Sequence, residues 1–266
     1  SRQRLHALFA AVFVSHGRSH LFDYHGFMPR ANRYFVPGQV YHLTHRCHDR
    51  EFLLRFARDR NEYRLKLREG LARFELALLD YAITSNHVHL LVSAENTEQI
   101  SGFMQKVDGE FAQSYNRRKQ RHGAYWEDRF HSTMVQPDGH LEGCLVYIAL
   151  NMVRCCVVAH PREWRWCGYQ ELMGFRKRFR ILDVDHLLAL FRGVSIEEFQ
   201  RHYDALITER IAKGNLTREP KWTEAIAVGS EEYVRQVADQ IKGRQQVEIT
   251  GSGQTWALHD AGTSYA

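Results

Sequence analysis

The sequence predicts an α+β fold: a ferredoxin-like (RRM-like) antiparallel sheet with packed helices, followed by a C-terminal helical appendage. Two observations carry this. Segments that alternate apolar and polar residues with period two, as half-buried strands do, interleave with segments whose apolar residues recur at helical spacing. Between Gln39 and Arg154 they follow the order strand, helix, strand, strand, helix, strand, helix, which suits a split βαβ sheet.

Gln39 to Cys47 alternates as the first strand. Ala57 to Gly70 reads as a charged amphipathic helix closed by its glycine. Phe74 to Thr84 and His87 to Ala94 form the next two strands, joined by a short turn at Ser85-Asn86. Thr97 can cap the following helix, whose apolar positions Ile100, Phe103, Met104, Val107 and Phe111 carry it to about Lys119. Phe130 to Gln136 is a fourth strand, and Pro137-Asp138-Gly139 starts a helix with its buried stripe at Leu141, Leu145, Ile148 and Met152. Asp183 to Phe191, Ser195 to Lys213 and Ser230 to Lys242 read as three further helices.

The most telling local feature is His87-Val88-His89, inside the strand-like run from Ala82 to Val92. On a strand the two imidazoles project to one side while Val88 turns into the core, which makes a two-point ligand for a divalent metal. The competing reading is chance, since the chain carries 16 His. Tyr147 and Asn151 lie four residues apart, so they stack on one face of their helix and present a phenol and an amide in the same direction. On position alone, a half-buried aromatic and an end-capping asparagine are also admissible readings.

Taken together, these blocks resemble the single-tyrosine HUH transposases, and among them the REP-associated tyrosine (IS200-like) transposases. The resemblance runs from about Met28 to Tyr169. It rests on Pro29-Arg30-Ala31, on Gln39 to Arg46, on Ser85-Asn-His-Val-His-Leu-Leu-Val92, on Tyr125-Trp-Glu-Asp-Arg-Phe130, on Tyr147 to Arg154 and on the tryptophans 164 and 166. It implies that His87, His89 and Asn151 bind a divalent metal, Mg²⁺ or Mn²⁺, and that Tyr147 is the nucleophile. It also implies a 5′-phosphotyrosine intermediate, hairpin-forming or single-stranded DNA as substrate, and a homodimer. One departure stands out: the family usually follows this asparagine with proline, and here it is Met152, which predicts a continuous helix. Tyr115 in Ser114-Tyr-Asn-Arg-Arg118 is the second choice of nucleophile, although it continues the apolar register 104, 107, 111 and has Lys119 as its partner one turn on.

The chemistry needs these residue types. A phosphodiester's anionic oxygens repel nucleophiles, and a bound divalent ion offsets that charge. Two neutral imidazoles and an amide leave the ion's charge unneutralised. A tyrosine hydroxyl, with an ordinary pKa near ~10, needs a nearby cation to become a phenolate. No phosphate-binding Gly-x-x-x-x-Gly-Lys-Ser/Thr loop is present, in line with chemistry that conserves bond energy in a covalent intermediate.

With 36 Lys+Arg against 31 Asp+Glu, a net charge of +5 and a pI near 9.0, the chain is moderately basic, as a binder of a polyanion would be. Dense basic runs fall at 116–122 and 176–180. Arg117, Arg118, Lys119, Arg121, Trp126, Arg129 and Arg154 are the candidate DNA-binding residues, with Tyr125, Trp164, Trp166 and Tyr169 able either to stack on bases or to pack in the core. An odd count of five Cys without a Cys-x-x-Cys pair favours neither a disulfide framework nor a zinc knuckle and suits a reducing cytoplasm, a bacterial one as the resemblance implies. No apolar run approaches the ~18 residues of a membrane span. Residues 1–27 faintly imitate a signal peptide but read better as a poorly ordered upstream extension before Met28. The expected organisation is a catalytic domain over 28–175, a helical region over 176–250 and a flexible Gly/Ser/Thr-rich tail over 251–266.

Two other classes compete with the enzyme reading. One is a nucleic-acid-binding module on the same sheet without living chemistry. The other is a histidine-triad hydrolase, which would need a third His where Leu91 stands.

Overall fold

The computed structural model describes residues 34–241 and 247–261. The expected upstream extension, 1–27, lies outside them. The first element, β1 (Val40–Arg46), is followed by α1 (Ala57–Leu71), β2 (Ala77–Ile83), β3 (His87–Ser93), α2 (Thr97–Lys119) and β4 (His131–Val135). Each falls within a few residues of the span the sequence pattern predicts. Strands β2, β3, β1 and β4 lie side by side in that order, every neighbouring pair antiparallel. This is the ferredoxin-like order, so the α+β reading holds.

Alternation along each strand sorts the core into two layers. Leu43, Val88, Leu90, Val92, Tyr81 and Ile83 face α1 and α2, against Tyr63, Leu67, Phe103, Val107 and Phe111. Leu79, Ala82 and Leu91 face the opposite way, toward α3 (Gly139–Ala149). At about 25 cal/mol per Å² of apolar surface, each fully buried Leu, Val or Phe on either face contributes about 1.5–3 kcal/mol.

Two local expectations shift. The cap of α2 is Asn96, one residue before Thr97: its side chain accepts from the Gln99 amide while Gln99 returns a bond to the Asn96 amide. Gly70 lies inside α1 and does not close it. A Cβ there would meet Val107 Cγ2 at 2.7 Å and Phe103 at 2.9 Å, so the glycine serves the close crossing of α1 and α2.

The helix carrying Tyr147 is not continuous. Leu150 (φ −78°, ψ 1°) separates α3 from a short α4 (Asn151–Arg154), so Met152 does not deliver the unbroken helix its sequence suggested. The Tyr147 carbonyl accepts from the Arg154 guanidinium at 2.9 Å, which stabilises the bend.

After α5 (Tyr169–Leu172), the helices α6 (Val184–Leu190) and α7 (Ile196–Ala212) lie where their periodicity places them; α7 packs Phe199, Tyr203 and Ile207 in the same layer as α3. The helical reading of the C-terminal region is incomplete. Beyond α8 (Lys221–Glu224), β5 (Ala227–Gly229) pairs parallel with β4. Then α9 (Glu231–Ile241) precedes a hairpin of β6 (Val247–Ser252) and β7 (Thr255–Asp260), with β7 antiparallel to β5. The residues expected as a flexible tail from 251 thus supply part of a seven-stranded sheet, order β2-β3-β1-β4-β5-β7-β6. The sheet runs unbroken across the boundary expected at 175/176. Gly, Ser and Thr composition reads as loop, but Trp256, Ala257 and Leu258 give the hairpin an apolar strand to bury.

Candidate metal and nucleophile centre

His87 and His89 stand on β3 with Val88 between them in the α1/α2 core, so both rings point toward α3 and α4. His89 is buried and His87 keeps an edge open to a cleft of about 610 Å³. Asn151, the first residue of α4, brings its amide between the rings, with Nδ2 2.9 Å from His89 Nε2 and 3.3 Å from His87 Nε2. Its Oδ1 is buried without a hydrogen-bond partner. A half-turn of the amide sets that oxygen toward the same two nitrogens.

The hydrogen bonds behind the rings decide which nitrogens are open. His87 Nδ1 lies 2.8 Å from Asn86 Oδ1, and Asn86 is oriented by its own Nδ2 donating to the Arg50 carbonyl. An amide oxygen only accepts, so His87 carries its proton on Nδ1 and leaves Nε2 with a lone pair. His89 Nδ1 lies 2.9 Å from His42 Nε2. Burial and the neighbouring guanidinium groups of Arg46 and Arg154 lower the His87 pKa to about 3, and burial with the charge of His87 holds His89 well below its ordinary value. Both rings are therefore neutral at physiological pH.

Tyr147 stands one turn before Asn151 on the same side. Its ring meets the His89 ring edge-on at 6.0 Å, and the Arg154 guanidinium lies over it at 4.0 Å from the centroid. Burial, the largest influence, raises the phenol's pKa; the charges of Arg154 and Arg218 and a hydrogen bond from Thr223 lower it in part. The bend at Leu150 makes this grouping possible, because it turns the Asn151 amide to the histidines while Tyr147 stays beneath Arg154.

The donor set fits a divalent cation of the Mg²⁺/Mn²⁺ kind. Two imidazole nitrogens and an amide oxygen are neutral hard or borderline donors, and the orphaned Asn151 oxygen lacks any other use. Among the described residues no three His, Cys, Asp or Glu side chains cluster as a metal site, so a metal at this pair of histidines would take the Asn151 amide as its third protein donor.

Of the other expected residues, Arg129 and Arg154 line the cleft with Arg46, Arg50, Thr223 and Glu224. Arg117, Arg118, Lys119 and Arg121 sit at the end of α2 instead. There Arg118 pairs with Asp59 at 2.5 Å, Arg121 donates to the Ala124 carbonyl and Lys119 lies over the Phe56 ring. Trp126 stacks on His45 at 4.4 Å and donates its indole N–H to the Asp108 carbonyl, a packing position. Tyr125, Trp164 and Tyr169 are buried. Tyr115 packs against Phe111 and Tyr125 in the α1/α2 core, on the face of the sheet away from the histidine pair. Sequence reasoning missed His42, Arg218 and Thr223. His42 carried a signal in its inward parity on β1; the other two sit in a segment whose place beside the cleft no local pattern announces.

A βαββαβ sheet here presents a His-x-His strand to a tyrosine and an asparagine one helical turn apart, a candidate metal-and-tyrosine centre. Residues 35–151 match the family model described as IS200-like transposase. Comparison with curated proteins gives no match. A solved structure described as a REP-associated tyrosine transposase bound to a REP hairpin is 17% identical, with 59% of this chain and 93% of that one covered and a TM-score of 0.49. A second, described as a transposase from Deinococcus radiodurans R1, is 19% identical over 39% of this chain and 84% of its own, with a TM-score of 0.31.

Proposed function

We propose that this protein is an IS200-like transposase, a metal-dependent single-strand DNA endonuclease and strand transferase that works through Tyr147. One observation carries the reading: Nε2 of His87 and of His89 meet the Asn151 amide, whose oxygen has no partner and turns to them by a half-turn of the amide, beside the Tyr147 ring. His87, His89 and Asn151 would hold a divalent cation, which would supply positive charge to offset the phosphodiester's anionic oxygens.

This chain's residues do the rest. Burial keeps the Tyr147 phenol protonated and Arg154 and Arg218 oppose it in part, so a cation at the His87, His89 and Asn151 site would supply the remaining stabilisation of the phenolate. The Tyr147 oxygen bonds to phosphorus while the bond from phosphorus to the 3′ oxygen breaks. The phenol proton is lost and the departing 3′ oxygen gains one. The 5′ end is left as a phosphotyrosine, and attack by a new 3′ hydroxyl reverses the step. Arg46, Arg50, Arg129 and Arg154 give the cleft a cationic wall for the DNA backbone. Arg117, Arg118, Lys119 and Arg121 extend the basic surface at the end of α2. Single-stranded or hairpin DNA, a homodimer and a cytoplasmic, nucleoid-associated setting follow from the family resemblance; among the described residues no helix is long and apolar enough to cross a membrane.

The test is to incubate the protein with Mn²⁺ and labelled single-stranded DNA carrying the repeats beside its own gene, and to run wild type, Tyr147→Phe, Tyr115→Phe and His87→Ala on a denaturing gel. A covalent adduct kept in Tyr115→Phe and lost in the other two variants supports the reading. Binding without an adduct in any lane, across metals and candidate repeats, replaces it with a nucleic-acid-binding module.

A further inference from the structure

His42 lies on β1, with its ring on the same side of the sheet as His89 and 0% exposed. Its two ring nitrogens have unlike partners. Nδ1 is 2.7 Å from the carbonyl oxygen of Trp222, and Nε2 is 2.9 Å from His89 Nδ1; the His42 and His89 rings stack at 5.0 Å. A carbonyl only accepts, so the His42 proton sits on Nδ1. No carboxylate is among the hydrogen-bond partners of this buried ring, so it is neutral and its Nε2 is an acceptor. That acceptor fixes the His89 proton on Nδ1, and the His89 lone pair is left on Nε2, the nitrogen facing Asn151.

The Trp222 carbonyl is available because α8 stops after one turn. Ala225 is extended and the Ile226 amide donates to the Leu258 carbonyl at 2.7 Å, so no helical amide returns to Trp222. The segment is held in place from the sheet, where the Thr133 hydroxyl donates to the carbonyls of Ala225 at 2.7 Å and Trp222 at 3.3 Å. Both belong to a part of the chain outside the residues that match the family model.

We propose that His42 is a positioning residue that transmits the orientation of the Trp222 carbonyl to His89, locking the tautomer in which His89 Nε2 can hold a metal. The C-terminal segment thereby prepares a ligand of the core domain without touching the metal. The proposal rests on the reading of His89 as a ligand, and partners of this kind are typically worth about 10–100-fold in metal affinity.

Two variants separate positioning from packing. His42→Gln can donate its amide N–H to the Trp222 carbonyl and accept from His89 with its amide oxygen, whereas His42→Phe fills the space and can do neither. In metal-free full-length protein, nitrogen-detected NMR of the imidazoles should find His89 with a protonated Nδ1 and a bare Nε2 in wild type and His42→Gln, and a mixture in His42→Phe. Mn²⁺ affinity, read by electron paramagnetic resonance, should fall about 10–100-fold in His42→Phe and return to within about threefold in His42→Gln. A wild-type His89 protonated on Nε2 overturns the proposal, whether or not His42→Phe folds. So does wild-type Mn²⁺ affinity in a folded His42→Phe. Wild type that binds no Mn²⁺ yet keeps the bare Nε2 sinks the metal reading of the previous section and leaves the relay standing.

Discussion

Strand β1 carries a buried histidine on each of its faces, and the two are used in opposite ways. Toward α1 and α2, His45 has an acceptor at both nitrogens: Asp108 Oδ2 at 2.7 Å from Nδ1 and the Asp128 carbonyl at 2.8 Å from Nε2. Tyr63 satisfies the other oxygen of Asp108 at 2.8 Å, and Trp126 stacks over the ring. The network closes on itself. Toward α3, the chain from the Trp222 carbonyl through His42 to His89 ends on a lone pair beside an asparagine with an unpartnered oxygen. A buried polar network with every partner present holds the fold together, whereas the second chain ends at an atom without a partner, the Asn151 oxygen, which the proposed function assigns to a ligand.

The largest effect that sharpens this contrast is on the open face. Tyr147→Phe should lower single-turnover adduct formation at least about 10³-fold while Mn²⁺ affinity and thermal stability stay at wild-type values, since the phenyl ring keeps its packing. A residual adduct assigned to Tyr115 by peptide mapping would move the chemistry to the closed face.

On that closed face, Asp108→Ala should cost about 3 kcal/mol in urea unfolding, because His45 and Tyr63 each lose a buried partner, and should leave Mn²⁺ affinity unchanged in the folded protein. A folded Asp108→Ala protein without Mn²⁺ binding would break the distinction between the faces.

Asn151→Leu is the reciprocal experiment. The amide oxygen has no partner to lose and only the Nδ2 contacts to His87 and His89 go, so unfolding free energy should fall by about 1–2 kcal/mol while the Mn²⁺ dissociation constant rises about tenfold or more. A destabilisation like that of Asp108→Ala would make Asn151 a structural residue.

The smallest effect concerns Asp80, a buried carboxyl on β2 that belongs to neither network. Burial pushes its pKa well above 3.8, with the Glu171 carboxylate adding to the shift and the Tyr81 amide opposing it, and Oδ2 has no partner. A group whose folded pKa is raised contributes stability that is fully present below the unfolded value of 3.8 and lost as pH rises through its folded value. Asp80→Asn mimics the neutral acid, so its stability relative to wild type should increase with pH above 3.8, measured as paired denaturation curves. A difference that stays flat over the accessible pH range would mean that Asp80 ionises as readily folded as unfolded.

Period-two alternation in β1, β2, β3 and β4 and the 3.6-residue stripe of α2 made the ferredoxin-like core legible from the residues, because each element buries one face and its pattern records which. His87 and His89 were legible for the same reason, with Val88 marking the inward side. The hairpin of β6 and β7 was not: a Gly- and Ser-containing strand at a sheet edge carries little periodic signal, and its pairing with β5 is a long-range event. Nor was the bend at Leu150, which a methionine at position 152 argued against.

The sequence by itself determined the strands, the parity of the histidines along them and the one-turn spacing of Tyr147 and Asn151, since these follow from the local geometry of strand and helix. Which ring nitrogen is bare, which of two tyrosines stands beside the histidines and which guanidinium groups reach the phenol were decided only by tertiary structure. Each depends on groups far apart in the chain, His42 and Trp222 being 180 residues apart, and no local pattern records the approach of two such groups in space.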